Sequence, residues 1–186
     1  MSAPLGVVLA AGTGSRYGEP KAFVREDSGR TWLERACQVL LDAGCATVVA
    51  TVPATGALPA LDPRVVTLPV DTGGLSESLD AALAAAIGSR AASVLVMLVD
   101  LPDVTAAAVR RVAAAGTDGA DGADLARATY DGRPGHPVLI GAPHFEALRS
   151  ALTGDSGANA YLAAHGVAGV ECGDLATGRD VDRPPS

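Results

Sequence analysis

The stretch VVLAAGTGSRYGEPKAF, from Val7 to Phe23, joins a hydrophobic run to a glycine-rich loop. The full run is LGVVLAA, over residues 5–11, and it is typical of a buried β-strand because it is short, continuous and ended by glycine. Three glycines follow it: Gly12, Gly14 and Gly18. A tight turn would explain the glycines, but it would not explain the two cations among them, Arg16 and Lys21. The stretch therefore predicts a strand and a loop that holds an anion.

The composition gives weight to those two cations. The chain has 186 residues, a formal net charge of -7 and a pI of about 4.8. An acidic protein repels phosphate backbones at long range, which argues against nucleic-acid and anionic-membrane partners. A small anionic ligand must therefore be held by local cations and backbone N–H groups. The length predicts one domain over residues 1–186, since domains commonly hold about 100–200 residues.

Apolar strands and amphipathic helices alternate along the chain. Strands are predicted at ATVVATVP (46–53), RVVTLPV (64–70), SVLVMLVD (93–100), LARATY (125–130), HPVLIG (136–141) and VAGVEC (167–172). A capping-box pattern, Thr31 with Glu34, opens a helix over 31–44. Further helices are predicted over 76–88, 105–116, 143–152 and 157–166, a turn at DGRPG (131–135), and a surface tail over 173–186.

This alternation predicts a three-layer α/β/α fold with a mostly parallel sheet. Ligands of such sheets bind outside the carboxyl ends of the strands. The glycine loop and Asp100 both fall on that edge.

The glycine loop has three interpretations. A dinucleotide fingerprint is disfavoured because the spacing fails at Gly18, Glu19 and Pro20 interrupt the expected helix, and the second strand ends without an acidic residue for a ribose. An ATP-binding P-loop is disfavoured because Lys21 is displaced and no hydroxyl residue follows it. A triphosphate-binding loop fits better, since small residues let backbone N–H groups approach phosphate oxygens and two cations neutralise charge.

The segment LAAGTGSRYGEPK resembles the L-A-[AG]-G-x-[SG]-x-R-[MFY]-G-x-x-K signature of nucleotidyltransferases with a Rossmann-like, GT-A-type fold. The resemblance is strongest to the MobA-like group, and within it to the molybdenum cofactor cytidylyltransferases (MocA-like). It continues along nearly the whole chain, through GGLSESLDAAL (73–83), VDLPDV (99–104), GRPGHPVLIG (132–141), GDSGANAYL (154–162) and DVDRP (180–184).

The resemblance implies a role for each matched position. The backbone of Leu9, Ala10, Ala11 and Gly12 would meet the base and phosphates, and Gly14 would allow close approach. Arg16 and Lys21 would grip the triphosphate, with Asp100 and Asp182 holding Mg²⁺. Nucleotide and acceptor contacts are completed by three further residues: Gly74 and Ser78 near the base and ribose, and His136 facing the acceptor.

The implied reaction moves CMP from CTP to the phosphate of a molybdopterin-type cofactor and releases pyrophosphate. An acceptor phosphate is already anionic near neutral pH, so alignment and charge neutralisation can suffice without an enzymic base. GTP, or a sugar or polyol phosphate acceptor, remains an alternative, as does a nucleotide-binding carrier without turnover. A molybdoenzyme or its chaperone is a candidate protein partner. The segment LAAG (9–12) resembles the LAAG of the cytidylyl-transferring branch rather than the LAGG of the guanylyl-transferring branch, and the difference between them is at Ala11.

Four positions depart from the family pattern. Val99 and Leu101 flank the metal aspartate in place of glycine and glutamine, Asn159 stands where arginine is frequent, and Arg183 replaces threonine. The change at Asn159 bears on the contacts to the acceptor phosphate.

The cysteines and the N-terminus indicate the compartment. Cys37, Cys45 and Cys172 lack the spacing of metal ligands and lie in apolar sequence, which is typical of reduced thiols. No cationic region precedes a long apolar run, and no stretch is long enough to span a bilayer. We therefore expect a cytoplasmic protein.

Overall fold

The computed structural model describes residues 3–14, 17–71, 74–116, 125–153 and 158–182. Its strands form one seven-stranded sheet in the order β3-β2-β1-β4-β6-β5-β7. In chain order they are β1 (Leu5–Leu9), β2 (Val48–Pro53), β3 (Val65–Val70), β4 (Ser93–Leu98), β5 (Leu125–Tyr130), β6 (Arg133–Gly141) and β7 (Ala168–Glu171).

The helices begin close to the predicted positions. They are α1 (Trp32–Asp42), α2 (Leu75–Gly88), α3 (Ala106–Ala115), α4 (Phe145–Ala151) and α5 (Asn159–Ala164), with 3₁₀ turns at Lys21–Phe23 and Ala142–His144. The capping box at α1 is present, since the Thr31 side chain accepts from the Glu34 backbone N–H and the Glu34 carboxylate accepts from the Thr31 backbone N–H. Thr105 caps α3 in the same way through its hydroxyl. None of the described helices has the length and apolar content needed to cross a bilayer.

Both faces of the sheet are covered, which confirms the α/β fold. Successive residues of β1 point to opposite faces: Val8 lies in a buried cluster with residues of α1 and α3, and Val7 lies in one with residues of α2, α4 and α5. Both valines are fully buried. Because a strand buried on both faces needs apolar residues at every position, β1 has the sequence of a continuous hydrophobic run.

The sheet is mostly parallel, with an antiparallel insertion. β3, β2, β1 and β4 run parallel to one another, as do β5 and β7, while β6 runs antiparallel to both β4 and β5. The turn predicted over 131–135 is wrong in extent. The chain turns at Asp131 and Gly132 alone, both with positive φ, and β6 begins at Arg133. A two-residue Asp-Gly turn of this kind matches the twist of a β-hairpin, so the following residues can pair at once.

The order of the strands fixes the place of the site. The chain winds from β1 outward to β2 and β3, then returns to place β4 on the other side of β1. Ligand crevices of open α/β sheets form where the order reverses in this way, outside the carboxyl ends of the two central strands. The loop after β1 and Asp100 after β4 both lie at that point.

Candidate active site

A cavity of about 460 Å³ opens at the carboxyl ends of β1 and β4. We call it the main cavity. Its walls come from the β1 loop, the end of β4, the start of α2 and the tail of the chain: Leu9, Ala10, Ala11, Gly12, Thr13, Gly14, Lys21, Leu75, Ser78, Leu98, Val99, Asp100 and Asp182. Segments far apart in sequence therefore line one space, and most of the residues singled out from the sequence are among them.

Backbone contacts fix the shape of the β1 loop. The Ala10 N–H donates to the Thr51 carbonyl at 3.0 Å, which continues the β1–β2 pairing into the loop. Gly14 has φ +63°, and a Cβ at this position would collide with the carbonyl of Glu19. Gly12 is different, because a Cβ there would meet no atom within 4 Å. Gly14 is therefore required for the loop to close on itself, whereas Gly12 leaves open space at the cavity wall.

Lys21 holds two carboxylates together at the edge of the cavity. It begins the 3₁₀ turn after Pro20, and the next residue, Ala22, is fully buried and anchors that turn. The Lys21 ammonium donates to Asp100 Oδ2 at 2.7 Å and to Asp182 Oδ1 at 2.8 Å. Burial lowers the pKa of Lys21, but the hydrogen bonds and charges of the two aspartates outweigh it and raise the pKa above its ordinary value. Lys21 is therefore charged at neutral pH.

Three carboxylates converge where Lys21 lies. Asp100, Asp180 and Asp182 each offer an oxygen, and these oxygens lie within 4.8 Å of one another. Asp100 Oδ1 is buried and has no hydrogen-bond partner among the residues that the structure describes. An unsatisfied buried carboxylate oxygen is costly, and carboxylates are the ligands that Mg²⁺ and Mn²⁺ prefer. These residues therefore fit a divalent cation, which Asp100 would hold together with Asp180 or Asp182.

Residues outside the cavity hold Asp100 in place. The guanidinium of Arg35, which is 6% exposed, donates to the Val99 carbonyl at 3.1 Å and pairs with Glu26 at 3.4 Å. The Val181 N–H donates to the Asp100 carbonyl at 3.1 Å, so the tail runs beside the end of β4. These contacts fix both ends of the carboxylate cluster from separate segments.

The tail is tied down rather than loose on the surface. Asp103 Oδ2 accepts hydrogen bonds from the Thr177 N–H and hydroxyl, and Arg111 pairs with Asp174. Leu175, Ala176 and Val181 pack against the core. The expectation of a tail lying over the surface is therefore incomplete, because this segment supplies two carboxylates to the site.

The start of α2 supplies another wall of the main cavity. Gly74 caps the helix, and the Ser78 hydroxyl donates to the Gly74 carbonyl at 2.9 Å. Ser78 lines the cavity, while Gly74 lies one residue before its lining residue Leu75. The first turn of α2 therefore lies at the cavity wall, and the backbone N–H groups of a first helical turn have no partner within the helix, which suits an anion.

His136 lies beside the main cavity rather than in it. It lines a second cavity of about 40 Å³ together with Arg127 and Asn159, and we call this the side cavity. The two cavities share Leu9 and Leu75 in their walls. Burial, and then the nearby charge of Arg127, lowers the pKa of His136 to about 4. The imidazole is therefore neutral at physiological pH.

The structure brings most of the singled-out residues together, with some additions. Arg16 and Arg183 lie outside the described residues. Asp180, Arg35 and Arg127 were missed by the sequence reasoning. The alternation of aspartates in DVD could have indicated Asp180, because residues two apart on an extended segment face the same side. Nothing in the sequence around Arg35 or Arg127 distinguishes them from ordinary surface arginines.

Comparison with known proteins identifies the family of this chain. The model of the MobA-like NTP transferase domain matches residues 6–169. The chain therefore belongs to the MobA-like NTP transferase family.

Two groups of relatives resemble the chain over most of its length. Nicotine blue oxidoreductase of Paenarthrobacter nicotinovorans is 34% identical over 192 residues, covering 95% of this chain and 91% of the relative. The crystal structure of Rv0371c from Mycobacterium tuberculosis H37Rv is 30% identical with a TM-score of 0.77, covering 98% of this chain and 94% of that one. A structure of Rv0371c in complex with manganese is 26% identical with a TM-score of 0.68, over 92% and 89% of the two chains.

A structure described as a nucleotidyl transferase is also similar. It comes from Methanothermobacter thermautotroptrophicus and is 26% identical with a TM-score of 0.73, covering 92% of this chain and 88% of that one. The solved relatives therefore share the fold across almost the full length of the chain.

Proposed function

We propose that the protein transfers CMP from CTP to the phosphate of a molybdopterin-type cofactor and releases pyrophosphate. The observation that carries the proposal is the buried, unpartnered Asp100 Oδ1 beside the Lys21 ammonium, at the wall of a 460 Å³ cavity formed by the glycine loop. A carboxylate cluster, a lysine and open backbone at one cavity are what a nucleoside triphosphate with its metal needs.

Each residue then has a task. The backbone from Leu9 to Gly12, together with Gly14, lies against the base and the triphosphate, and Ser78 and Gly74 lie on the ribose side. Lys21 and Arg16 neutralise the charge that moves onto pyrophosphate as it leaves. A divalent cation, Mg²⁺ in this proposal, would supply further charge neutralisation at the triphosphate.

In this reaction the phosphate of the acceptor is the nucleophile, and no residue of the protein has to activate it. A phosphate monoester carries negative charge at neutral pH, so it can attack the α-phosphorus once the two groups are aligned. The neutral His136 offers a hydrogen bond to the acceptor without removing a proton from it. Ala11 beside the base supports CTP over GTP. A molybdoenzyme or its chaperone would then receive the nucleotide-bearing cofactor.

A second candidate is reduction of an organic substrate. It is favoured by the relative named nicotine blue oxidoreductase, which is 34% identical to this chain. Under this alternative the main cavity would take a redox nucleotide, and no pyrophosphate would form. A nucleotide-binding carrier, without turnover of either kind, is the third possibility.

One assay separates these candidates. The protein is incubated with Mg²⁺, molybdopterin and each of CTP, GTP, ATP and UTP, and pyrophosphate is measured. We expect release with CTP above the other nucleotides. Pyrophosphate release with GTP alone would show that GTP is the nucleotide substrate. Release only with sugar or polyol phosphates would show that one of these is the acceptor. Nucleotide binding without pyrophosphate release would favour the carrier. Oxidation of a reduced nicotinamide dinucleotide by an organic dye, measured in parallel, would favour the reductase.

Asp100→Asn is the matched test of the site. The change keeps size and removes the charge that a metal requires, so we expect pyrophosphate release to fall at least about hundredfold with the melting temperature almost unchanged. Asp131→Asn, at an exposed hairpin turn away from the cavity, is the control and should retain full activity. Full activity of Asp100→Asn would contradict the metal assignment.

A further inference from the structure

Arg127 on β5 is a half-buried cation with few partners. Its Nη1 donates to Asn159 Oδ1 at 3.3 Å and its Nη2 to the Gly135 carbonyl at 3.4 Å, and both distances are long for hydrogen bonds. Its Nε is buried and has no partner in the described part of the chain. Within the described ranges no carboxylate pairs with this guanidinium. Burial alone lowers the pKa of Arg127 from its ordinary value, which still leaves it charged at neutral pH.

Burying part of the Arg127 guanidinium without an anion costs folding free energy. The guanidinium is only partly removed from water, but its buried Nε loses solvation that the two long hydrogen bonds of the other nitrogens do not replace. Replacing a buried ionic group by an apolar one is often neutral or stabilising. The folded protein therefore gains little stability from Arg127 itself, and a ligand that supplies the missing anion would relieve the cost.

The side cavity offers a binding site for such an anionic ligand. Most of its wall is apolar, including Leu9, Leu79 and Val96, and its polar lining residues are Arg127, His136 and Asn159. A low-dielectric wall strengthens the attraction between a cation and an anion. Since His136 is neutral, Arg127 supplies the positive charge at this wall.

The volume of the side cavity selects the size of the group. At about 40 Å³ the side cavity has less than a tenth of the volume of the main cavity, about 460 Å³, so it suits a small group rather than a whole nucleotide. The terminal phosphate of a monoester is a compact anionic group of this kind. The flat fork of a guanidinium also matches phosphate oxygens in geometry.

The position suits an acceptor. The β4–β6 pairing ends at Val96 and Val138, which both line the side cavity, and Leu98, two residues beyond Val96 on β4, lines the main cavity. The side cavity therefore adjoins the space assigned to the triphosphate without being part of it.

We propose that Arg127 binds the phosphate of the acceptor in the side cavity, with His136 and Asn159 beside it. This inference rests on the proposed transferase function for the identity of the ligand. It adds to that function a positively charged residue that positions the nucleophile and selects acceptors ending in a phosphate monoester.

The binding test uses inorganic phosphate as the probe and the His136 imidazole NMR signals as the reporter. We expect phosphate to shift these signals in the wild type and in Lys21→Met, and not in Arg127→Gln. CTP affinity, measured by calorimetry with Mg²⁺, should be unchanged in Arg127→Gln and reduced in Lys21→Met. Arg133→Gln removes the same charge from an exposed arginine at the start of β6 and should behave as the wild type in both measurements.

Kinetics and stability complete the test. With turnover established, Arg127→Gln should raise KM for the acceptor at least about tenfold while KM for CTP changes less than about twofold. Arg127→Lys should have a KM for the acceptor between those of the wild type and Arg127→Gln, because lysine keeps the positive charge but lacks the planar pair of donors of a guanidinium. The melting temperature of Arg127→Gln without ligand should equal or exceed that of the wild type.

Three results would overturn the proposal. The first is that phosphate causes no shift of the His136 signals in the wild type. The second is that phosphate shifts these signals equally in Arg127→Gln. The third is that Arg127→Gln loses affinity for CTP to the same extent as it loses affinity for phosphate. A sharply lower melting temperature of Arg127→Gln together with normal acceptor kinetics would instead identify Arg127 as structural. Absence of pyrophosphate release in the wild type, with the phosphate shift intact, would reject the transferase function and leave an anion site in place.

Discussion

At the scale of single residues, one ammonium group lies where a metal would need its ligands. Lys21 Nζ is within 2.8 Å of both Asp100 and Asp182. Lys21 therefore neutralises the carboxylates when no metal is present, and a bound metal would compete with it for their negative charge. Its charge then becomes available to the triphosphate in the same cavity.

This competition predicts the effect of Lys21→Met. Without the ammonium, the clustered carboxylates repel one another, so we expect Mn²⁺ to bind about tenfold more tightly in the absence of nucleotide while CTP binds more weakly. Thermal unfolding across a Mn²⁺ titration measures this, because a ligand raises the melting temperature in proportion to its binding free energy. Asp100→Asn is the control and should lose Mn²⁺ stabilisation. Equal Mn²⁺ affinities of the wild type and Lys21→Met would show that the lysine does not compete.

The two glycines of the β1 loop should respond differently to the same added methyl group. Gly14→Ala forces a side chain into a positive-φ position and against the Glu19 carbonyl, so we expect a loss of stability of about 1–3 kcal/mol. Gly12→Ala places its methyl in open space at the wall of the main cavity, so it should leave stability unchanged and weaken CTP binding. Chemical denaturation and calorimetry measure the two effects. Equal stability losses in both variants would contradict the geometry.

At the scale of elements, the tail after β7 acts as the second half of the carboxylate cluster. It is joined to the turn after β4 by Asp103, which accepts two hydrogen bonds from Thr177, and it reaches Asp100 through the Val181 N–H. A segment without regular secondary structure is therefore positioned by side-chain contacts and single backbone hydrogen bonds.

Asp103→Ala should release this segment. Loss of two hydrogen bonds to a charged acceptor frees the tail, so we expect Mn²⁺ affinity to fall about tenfold and the tail to become sensitive to limited proteolysis. Asp174→Ala removes a different, more exposed contact of the tail, with Arg111, and should have a smaller effect on Mn²⁺ affinity. An unchanged Mn²⁺ affinity in Asp103→Ala would mean that Asp180 and Asp182 are held by other contacts.

At the scale of the whole molecule, a half-buried neutral histidine, His136, links stability to pH. The pKa of His136 is lowered from 6.5 to about 4, so between these values the unfolded chain binds a proton that the folded protein does not. The contribution of this group to stability is therefore complete above about pH 6.5 and is lost as the pH falls toward 4.

His136→Asn should remove that dependence. Comparing urea unfolding at pH 7 and pH 4.5, we expect the wild type to lose about 2–3 kcal/mol more stability than the variant, since one pKa unit corresponds to about 1.4 kcal/mol. Other acidic and basic groups act equally on both proteins and cancel in the difference. Parallel pH profiles of the two proteins would show that His136 is protonated normally in the fold.

The α/β fold was predictable because its signals are local. Continuous apolar runs such as SVLVMLVD and helix starts such as Thr31 with Glu34 depend on residues close in sequence, and the structure confirms both. The antiparallel direction of β6 and the short Asp-Gly turn before it escaped prediction, because the pairing partners of a strand are chosen by distant segments. The main cavity followed from the general rule for carboxyl ends of strands together with the resemblance of the loop.

The sequence by itself determined the buried β1 strand, the glycine-rich loop after it and the aspartate at the end of β4. These features depend on residues that are adjacent in the sequence: the tolerance of glycine for positive φ, the hydrophobicity of a strand and the order of the elements. They can therefore be predicted from the sequence alone. Only the tertiary structure decided that Lys21 lies between Asp100 and Asp182, that Asp180 joins them, and that Arg127 lies half-buried beside His136. These arrangements bring together residues up to 161 positions apart in the chain. Their charges and burial arise from packing, which no single stretch of sequence contains.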